Sequence, residues 1–482
     1  MDIGSQRSSR TGPVPALFIL LVLAILVSAA GEARAASFWV DPIRGSDDAR
    51  GTRGNPLRSV TEAWQRLPTV ASEPTRIELK AGSYRGLSPI YWEDHSGRAG
   101  APITIRSVDG RGRARLPAVN LFGVSHLEFR GIQFSDGGDV VHCERCSHFT
   151  LRKVIALGRD AQEVVKVNQS DNIQILSSKI VGAGDNGIDL VAVQRARIRN
   201  NVVRESGDWC AYAKGGSVDV VVTGNLFTRC GTGGFSAGQG TGFQFMVRPW
   251  LQYEAIGVVV RGNTVTRTEG AAFGIQGGFN VLVADNVARW VGKRSHVLEA
   301  VYGLRSCDGQ PGDDGRERCQ EYLDSGGWGT TVVDDGTNAV RIPNRHAFFT
   351  GNVILNPAPY RSEWQQLQVF GPIGSQPGTN VPADAAGDSD LRFIGNVVWN
   401  GPPDMPLGIG EDGCRPSNPT CNPGLVEGQN RFNRRLPSVR ELRNGRLRAT
   451  GWAAEYTTRA SEPGPIWSDL PAGTAPWRAW PR

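Results

Sequence analysis

A short pattern of apolar residues and asparagine recurs through most of this 482-residue chain. In each copy two apolar residues are separated by one residue. A small residue and often Asn follow, and another apolar residue comes two positions after the Asn. The copies read HLEFRGIQF, HFTLRKVIA, NIQILSSKI, RARIRNNVV, DVVVTGNLF, GVVVRGNTV, NVLVADNVA, HAFFTGNVI and DLRFIGNVV. The first copies are 22–24 residues apart. Such a period is typical of solenoids, in which each repeat packs only on its neighbours.

Asparagine occupies one position of the repeat in six copies: Asn201, Asn225, Asn263, Asn286, Asn352 and Asn396. A Gly–Asn pair suits a turn with a left-handed residue between two strands, and the 61 Gly residues agree with many such turns. Stacked turns would let the Asn side chains hydrogen-bond in a ladder. The Leu-x-x-Leu-x-Leu spacing of leucine-rich repeats is absent. The pattern therefore favours an all-β parallel β-helix of about eleven coils with two strands per coil.

Segments that break the repeat mark the ends and the loops. The stretch 60–67 (VTEAWQRL) is typical of a short amphipathic helix, which would cap the exposed strand edges at the N-terminal end. We expect the β-helix domain to span 36–424, with insertions near 231–256, 296–345 and 356–390, and a C-terminal covering segment at 425–482. Long loops on a rigid scaffold often carry function.

Residues 1–35 have the features of a secretory signal peptide. Arg7 and Arg10 precede an apolar run over 16–30, and Ala33-Arg34-Ala35 supplies small residues at a cleavage site. A membrane anchor is the alternative, but the run is shorter than the ~20 residues that a spanning helix needs. We therefore predict a secreted or periplasmic monomer without a membrane span after cleavage. The net charge of +6 weakly favours an anionic partner, but no pattern typical of nucleic-acid binding accompanies it.

The chain has eight cysteines, an even number that suits an exported protein. They fall in close sequential pairs, which predict four local disulfides: Cys143–Cys146, Cys210–Cys230, Cys307–Cys319 and Cys414–Cys421. His142 and His148 flank the first pair, so zinc is the alternative there. A structural zinc site needs four ligands, and one Cys-x-x-Cys is weak evidence for it.

The repeat resembles the right-handed parallel β-helix of the pectin lyase-like superfamily. The opening FWVDPIRGSDDARGTRGNPLRSVTEAW and the later IELKAGSYRG are similar to the N-terminal cap of family 9 pectate lyases and related exported β-helix repeat proteins. The resemblance covers about 37–400. It implies the fold more strongly than the activity, because this superfamily also holds hydrolases, esterases, epimerases and proteins that are not enzymes.

Acidic residues recur about one coil apart at Asp160, Asp185 and Asp208. Carboxylates stacked on one face repel each other unless a cation neutralises them, and Ca²⁺ suits an exported protein. Glu163 lies nearby and could add an oxygen ligand. Turn-forming Asp and Asn residues are the alternative. The resemblance to family 9 pectate lyases implies four calcium ligands, of which the second departs from the Asp of the family pattern: Asp160, Asp185, Asn186 and Asp189.

Lys214, in WCAYAKGGS, lies one coil beyond Asp189. In β-elimination a base removes the proton beside the carboxylate of a uronate, and a nearby cation stabilises the charge that develops. The resemblance to family 9 pectate lyases implies a lysine base. We assign this role to Lys214, with Lys166 as the runner-up. A surface lysine near a turn is the alternative.

A further set of polar residues lies in or beside the predicted insertions. Arg248 and Arg341 could bind a substrate carboxylate through bidentate contacts. His296 stands three residues before Glu299 and could form an acid–base or metal pair with it. A hydrogen-bonded structural histidine is the alternative for His296 and for His346. We include Arg248, Arg341 and His296 as candidate substrate-binding residues.

Together these patterns predict an exported lyase that cleaves an acidic, pectate-like polysaccharide by calcium-assisted β-elimination. Two alternatives stay open. One is a non-catalytic glycan-binding or cell-envelope β-helix, and the other is a glycoside hydrolase that uses Asp185, Asp189 and Asp208. The motif sets of polygalacturonases and of pectin methylesterases are absent from the sequence.

Overall fold

The computed structural model describes residues 36–86, 88–294, 296–308, 312–331, 339–369, 380–382, 385, 387–408, 430–458 and 465–466, without the side chains of 160 and 161. Through these residues the chain winds into stacked coils whose strands pair in parallel with those one coil away. The predicted right-handed parallel β-helix is confirmed. Each coil carries three strands rather than the predicted two, because a third strand forms in the variable stretch after the Asn position.

The strands are short, as the repeat requires. Strands β1 to β13 span Ala36–Val40, Thr75–Leu79, Gly82–Ser83, Ile90–Trp92, Ile103–Ser107, Ala114–Leu116, Val119–Phe122, Leu127–Arg130, Gln133–Ser135, Val141–Glu144, Thr150–Arg152, Ile155–Ala161 and Val165–Asn168. Strands β14 to β26 span Gln174–Leu176, Lys179–Ala183, Ile188–Val191, Gln194–Arg199, Val202–Arg204, Trp209–Lys214, Ser217–Thr223, Leu226–Thr228, Gly233–Ala237, Gly240–Gly242, Ala255–Arg261, Thr264–Thr266 and Phe273–Gln276. Strands β27 to β39 span Gly278–Ala284, Val287–Arg289, Leu298–Val301, Gly303–Ser306, Val340–Ile342, Arg345–Thr350, Val353–Leu355, Leu367–Val369, Ser389–Ile394, Val397–Trp399, Arg431–Phe432, Ser438–Glu441 and Leu447–Thr450.

Three long sheets form the sides of the coil, with 12, 12 and 10 strands. Sheet 1 follows the order β1-β2-β5-β8-β11-β14-β17-β20-β24-β27-β32-β35, and sheet 2 the order β3-β6-β9-β12-β15-β18-β21-β25-β28-β33-β36-β37. Sheet 3 follows the order β34-β29-β26-β22-β19-β16-β13-β10-β7-β4. These numbers agree with the expected eleven or so coils. Alternate side chains point into the coil, where apolar residues form one continuous core.

A short helix covers the N-terminal end of this core. Helix α1 (Val60–Gln65) begins after Ser59, whose side chain accepts a hydrogen bond from the backbone N–H of Glu62. Its buried Trp64 stacks on Trp92 with 5.0 Å between the ring centroids. The amphipathic helix predicted at this end is therefore confirmed.

The predicted asparagine ladder is confirmed at the turn between sheets 1 and 2. Each Asn Oδ1 accepts from the backbone N–H and the Nδ2 of the Asn one coil before, at 2.8–3.2 Å, from Asn201 through to Asn430. The preceding residue has left-handed backbone, as Gly224 shows with φ of 63°. The ladder satisfies buried polar groups that would otherwise destabilise each turn.

Asp388 takes the place of an asparagine in a shorter polar stack. Its fully buried carboxyl group accepts from the backbone N–H of Asn344 at 2.7 Å and from Asn344 Nδ2 at 3.0 Å. Burial raises the pKa of this carboxyl to about 7, although the hydrogen bonds act in the opposite direction. The native state therefore favours the neutral acid.

This raised pKa predicts a pH-dependent loss of stability that Asp388→Asn removes. The native state binds the proton more tightly than the unfolded state, so the stabilisation is complete below the unfolded pKa of 3.8 and is lost as the pH rises through about 7. At about 1.4 kcal/mol per pKa unit, the full loss is about 4 kcal/mol. We expect the free energy of unfolding of Asp388→Asn to vary less between pH 4 and pH 8 than that of the wild type. Parallel pH profiles would contradict this.

Three of the predicted disulfides are confirmed: Cys143–Cys146, Cys210–Cys230 and Cys307–Cys319. The first two lie in the core of the coil. Since the sulfurs of Cys143 and Cys146 are bonded to each other, the zinc alternative at this pair is wrong. The predicted Cys414–Cys421 bridge and the predicted signal peptide over 1–35 lie outside the described residues.

Three insertions leave the coil at the turn from sheet 3 to sheet 1, after β22, β29 and β34. The first two form a small lobe, which consists of residues 238–254 and the described part of 302–342. Strands β23, β30 and β31 form its sheet, and a 3₁₀ turn (Phe243–Phe245) and helix α2 (Asp314–Asp324) pack beside it. The Cys307–Cys319 bridge ties α2 to this sheet. Because the insertions start where sheet 3 ends, the lobe overhangs that sheet.

The C-terminal residues 430–458 pack along sheet 2. Strand β37 joins the sheet, β38 and β39 form a hairpin, and helix α3 (Gly451–Thr457) follows. Leu447 and Ala453 pack on outward-facing valines of sheet 2. Among the described residues, no helix has the length and apolarity needed to span a membrane.

Candidate functional site

A groove of about 730 Å³ lies on the outer face of sheet 3, under the lobe. Strands β13, β16 and β19 form its floor. The wall comes from the lobe, where Gln239, Phe245 and Leu304 face the groove. Six carboxyl groups and four basic groups line it: Glu144, Glu163, Asp185, Asp189, Asp208 and Asp308, with Arg145, Lys166, Lys214 and Arg318.

The floor of the groove places three polar side chains in one row across neighbouring strands. Lys166 pairs with Asp189 in the strand register, and Asp189 pairs with Tyr212. Their strand neighbours point inward and are apolar, because successive side chains of a strand face opposite sides of the sheet. The repeat thus brings together residues that are 23 positions apart.

Asp189 lies at the centre of this row and is 2% exposed. Burial raises the pKa of its carboxyl, although Lys214, Lys166 and the hydroxyl of Tyr212 lower it. Its Oδ1 has no hydrogen-bond partner among the described residues. A buried acceptor without a partner destabilises the fold unless a donor or a cation reaches it. Asp189 is therefore suited to contact a ligand in the groove.

Glu163 and Lys166 form a buried pair beside Asp189. Lys166 Nζ lies 3.3 Å from Glu163 Oε2. Burial and the charge of Asp189 raise the pKa of Glu163 to about 7, against the opposing effect of Lys166. Burial lowers the pKa of Lys166, but the neighbouring carboxylates outweigh this and the net shift is upward. Near neutral pH the Glu163 carboxyl can both donate and accept a proton.

Lys214 lies at the end of β19 and faces the groove. Its Nζ donates to Gln239 Oε1 at 3.1 Å and lies 4.6 Å from the centroid of the Tyr212 ring. Gln239 in turn donates to Asp208 Oδ2 at 3.2 Å. These contacts connect a floor lysine to the lobe and to the next acidic residue of the predicted stack.

Asp185 stands at the rim of the groove, one coil from Asp208. Partial burial and the Asp208 carboxylate raise the pKa of Asp185, while Lys214 and Lys166 lower it. The predicted stacking of these acids therefore brings them close enough to interact. The side chain of Asp160, the third member of the stack, lies outside the described part of the structure.

Asn186 has a role within the fold. It is 1% exposed, its Oδ1 accepts from the backbone N–H of Trp209 at 3.1 Å, and its Nδ2 donates to the hydroxyl of Tyr212 at 3.2 Å. Both ends of the carboxamide are thus used to position the floor. The hydrogen bond from Trp209 uses one of the two lone pairs of the Asn186 oxygen, so only the second is open to a calcium ion.

The other predicted calcium ligands fit in part. Asp185 and Asp189 both line the groove, and Asp189 Oδ1 is an open acceptor. Among the described residues no three His, Cys, Asp or Glu side chains are grouped as metal ligands. Calcium there would need further oxygens from Asp160, water or substrate.

The three predicted substrate-binding residues lie away from this groove. Arg248 pairs with Glu321 of α2 at 3.5 Å, and Arg341 lies over the ring of Tyr302 at 6.0 Å. His296 Nε2 lies 2.7 Å from Glu299 Oε2. This His–Glu pair is on sheet 3 but three strands beyond Tyr212.

Several groove residues were missed in the sequence. Tyr212 lies 23 residues after Asp189, so the repeat could have placed it in the same row. Arg145 lies 24 residues before Gln169 of the adjacent coil, and its Nε donates to Gln169 Oε1 at 3.4 Å. Gln239 and Arg318 belong to the lobe, whose packing has no repeat, and no sequence signal could have found them.

A match to a protein-family model supports the fold. Residues 103–249 match a family model described as right handed beta helix region. No curated protein matches the sequence. Similar solved structures include the pectate lyase Pel9A, with 14% identity over 75% of this chain and 79% of that chain and a TM-score of 0.40. A GH136 lacto-N-biosidase from Eubacterium ramulus has 11% identity over 86% of this chain and 70% of that chain, with a TM-score of 0.44.

Another similar structure is PfbA, a surface adhesin of Streptococcus pneumoniae, with 10% identity over 68% of this chain and 79% of that chain and a TM-score of 0.41. The similar structures thus include a lyase, a glycosidase and an adhesin. At TM-scores of 0.40 to 0.44 these similarities do not choose among the activities.

Proposed function

We propose that this right-handed parallel β-helix protein is an exported lyase that cleaves an acidic, pectate-like polysaccharide by β-elimination in the groove over sheet 3. The observation that supports this most is the lysine at the floor of a groove that also holds a partly protonated carboxyl group. Lys214 faces the groove, and Glu163 titrates at about 7 in the same cavity. A base and an acid are the two groups that β-elimination requires.

In the proposed reaction, Lys214 Nζ takes the C5 proton of a uronate residue. A double bond forms between C4 and C5 while the bond from C4 to the glycosidic oxygen breaks. Glu163, in its protonated form, supplies the proton that the leaving oxygen needs. Tyr212 keeps its own proton, because burial raises the pKa of its hydroxyl well above the usual range, and it holds Asp189 in place.

The charge balance of the groove affects how well it can bind a substrate carboxylate. The six lining carboxyl groups outnumber the four basic groups, so an anionic substrate needs additional positive charge or protonation of these acids. We include calcium in the proposal, with Asp185 and Asp189 as ligands and Asp160 as a third. When bound, the ion would supply charge to stabilise the enolate-like intermediate.

Product chemistry tests the proposal. The purified mature protein is incubated with polygalacturonate, alginate and a neutral glucan, with calcium or with a chelator. We expect ultraviolet absorbance from an unsaturated uronate to rise with at least one polyuronate and not with the glucan. Loss of the signal in chelator would support the calcium site, and its persistence would remove calcium from the proposal.

A glycoside hydrolase is the second candidate, and the raised pKa of Glu163 favours it. A hydrolase needs one protonated and one ionised carboxyl group on either side of the bond. Asp185, Asp189 and Asp208 line the same groove and could supply the second group. New reducing ends without ultraviolet absorbance would establish this reaction in place of the lyase. A glycan-binding protein would give neither product.

A further inference from the structure

A second groove, of about 490 Å³, lies on the outer face of sheet 2 beside the C-terminal hairpin. We call it the basic groove, because five basic side chains line it: Arg111, Lys179, Arg204, Arg229 and Arg267. Glu441 is the one carboxylate in its lining. Glu205 stands at its edge and forms ion pairs with Arg204 and Arg229. Positive charge still exceeds negative charge by about three after both acids are counted.

The arginines follow the repeat. Arg204 ends β18, Arg229 and Arg267 directly follow β21 and β25, and Arg289 ends β28. The strand register pairs Arg204 with Thr228, and Thr266 with Arg289. Arg229 and Arg267 stand one position later, at equivalent places in adjacent coils, where neighbouring strands are about 4.8 Å apart. Two guanidinium groups at this spacing match a linear polymer that carries a negative charge on each unit.

Trp290 orders two of these arginines. The guanidinium carbons of Arg267 and Arg289 lie 4.4 Å and 4.0 Å from the centroid of its ring. Neither arginine forms an ion pair with a carboxylate in the described residues. Stacking on an aromatic ring fixes the planar guanidinium, so less conformational entropy is lost when it binds an oxyanion. Arg267 thus gives the groove a cation that is held in place, and Arg289 lies beside it on the same ring.

The two grooves have opposite charge balance. Carboxyl groups are in excess over sheet 3 and basic groups over sheet 2. A polyanion is attracted to the second surface at long range and is repelled by ionised acids at the first. We propose that the basic groove binds a second stretch of acidic polysaccharide and anchors the protein to the polymer. The identity of the polymer rests on the proposed function, but the binding does not depend on catalysis.

Affinity electrophoresis in gels that contain polygalacturonate tests this site, with calcium omitted and chelator present to suppress turnover. We expect the wild type to be retarded and Arg229→Ala/Arg267→Ala to bind about ten-fold more weakly, because charge-assisted contacts to carboxylates are lost. Arg50→Ala/Arg76→Ala is the matched control. It removes two exposed arginines from other faces and is expected to bind like the wild type.

Equal retardation of the groove variant and the wild type would overturn the proposal, provided that both melt at the same temperature. Dextran sulfate and a neutral glucan are run in parallel gels. Binding to sulfate esters without binding to polyuronate, or equal binding to the neutral glucan, would also overturn it. A failed lyase assay leaves the outcome of these gels unchanged, so the two proposals can fail separately.

Discussion

Lys214→Ala is expected to lower the initial rate of unsaturated product formation by about 10²–10⁴-fold, since general-base catalysis typically contributes this much. The side chain is half-buried and faces the groove, and its hydrogen bond to Gln239 is the polar contact that the substitution removes. Because the substitution removes one hydrogen bond at the surface of the groove, the melting temperature should change little. Initial rates of absorbance change on the best polyuronate, with circular dichroism as a check of folding, measure both.

The Lys214→Arg variant tests whether Lys214 acts as a base or supplies only a positive charge. Arginine keeps the cation over the Tyr212 ring but cannot lose its proton in a protein. If Lys214 is the base, the arginine variant is as inactive as the alanine variant. Lys80→Ala is the control, since Lys80 pairs with Asp109 at the N-terminal coils away from the groove. An active Lys214→Arg would assign the lysine an electrostatic role, and an active Lys214→Ala would exclude it from catalysis.

The fold could be predicted because the same turn recurs in each coil and buries the same polar backbone groups each time. The Asn of the turn between sheets 1 and 2 satisfies buried backbone groups in every coil, so it recurs at a fixed position and is visible in the sequence. Sheet 3 was missed because its outward side chains do not repeat. Lys166, Asp189 and Tyr212 occupy outward positions there, and their chemistry differs from coil to coil.

Only the residues of the candidate site that lie on the repeating coils could be predicted from the sequence. The period placed Asp185 and Asp189 in one coil and Lys214 in the next, and all three line one groove. It could not show that both ends of the Asn186 carboxamide are used within the fold, because this depends on the orientation of Tyr212 and Trp209. The lobe has no repeat, so the pairing of Arg248 with Glu321 could not be predicted from the sequence either.

A fully buried ion pair between Arg305 of β30 and Glu254 joins the two insertions that form the lobe. Glu254 Oε2 also accepts from the backbone N–H of Gly215 at 2.9 Å and from Thr241 Oγ1 at 2.6 Å. Arg305 Nη1 donates to the carbonyl oxygens of Leu251 and Trp328. One pair thus joins the residue after Lys214 to the groove wall and to both large insertions.

Arg305→Ala is therefore expected to lower the free energy of unfolding by about 3–5 kcal/mol, because it leaves the Glu254 carboxylate buried without a cation. Arg248→Ala is the control within the same lobe. Its pair with Glu321 is exposed on both sides, so the expected loss is at most about 1 kcal/mol. Urea unfolding of the three proteins measures both values.

Arg305→Met fills the same space without a charge, and together with Glu254→Gln it removes both charges of the pair. If this double variant recovers most of the lost stability, the penalty comes from the unpaired carboxylate. If Arg305→Ala costs no more than Arg248→Ala, the pair does not hold the lobe.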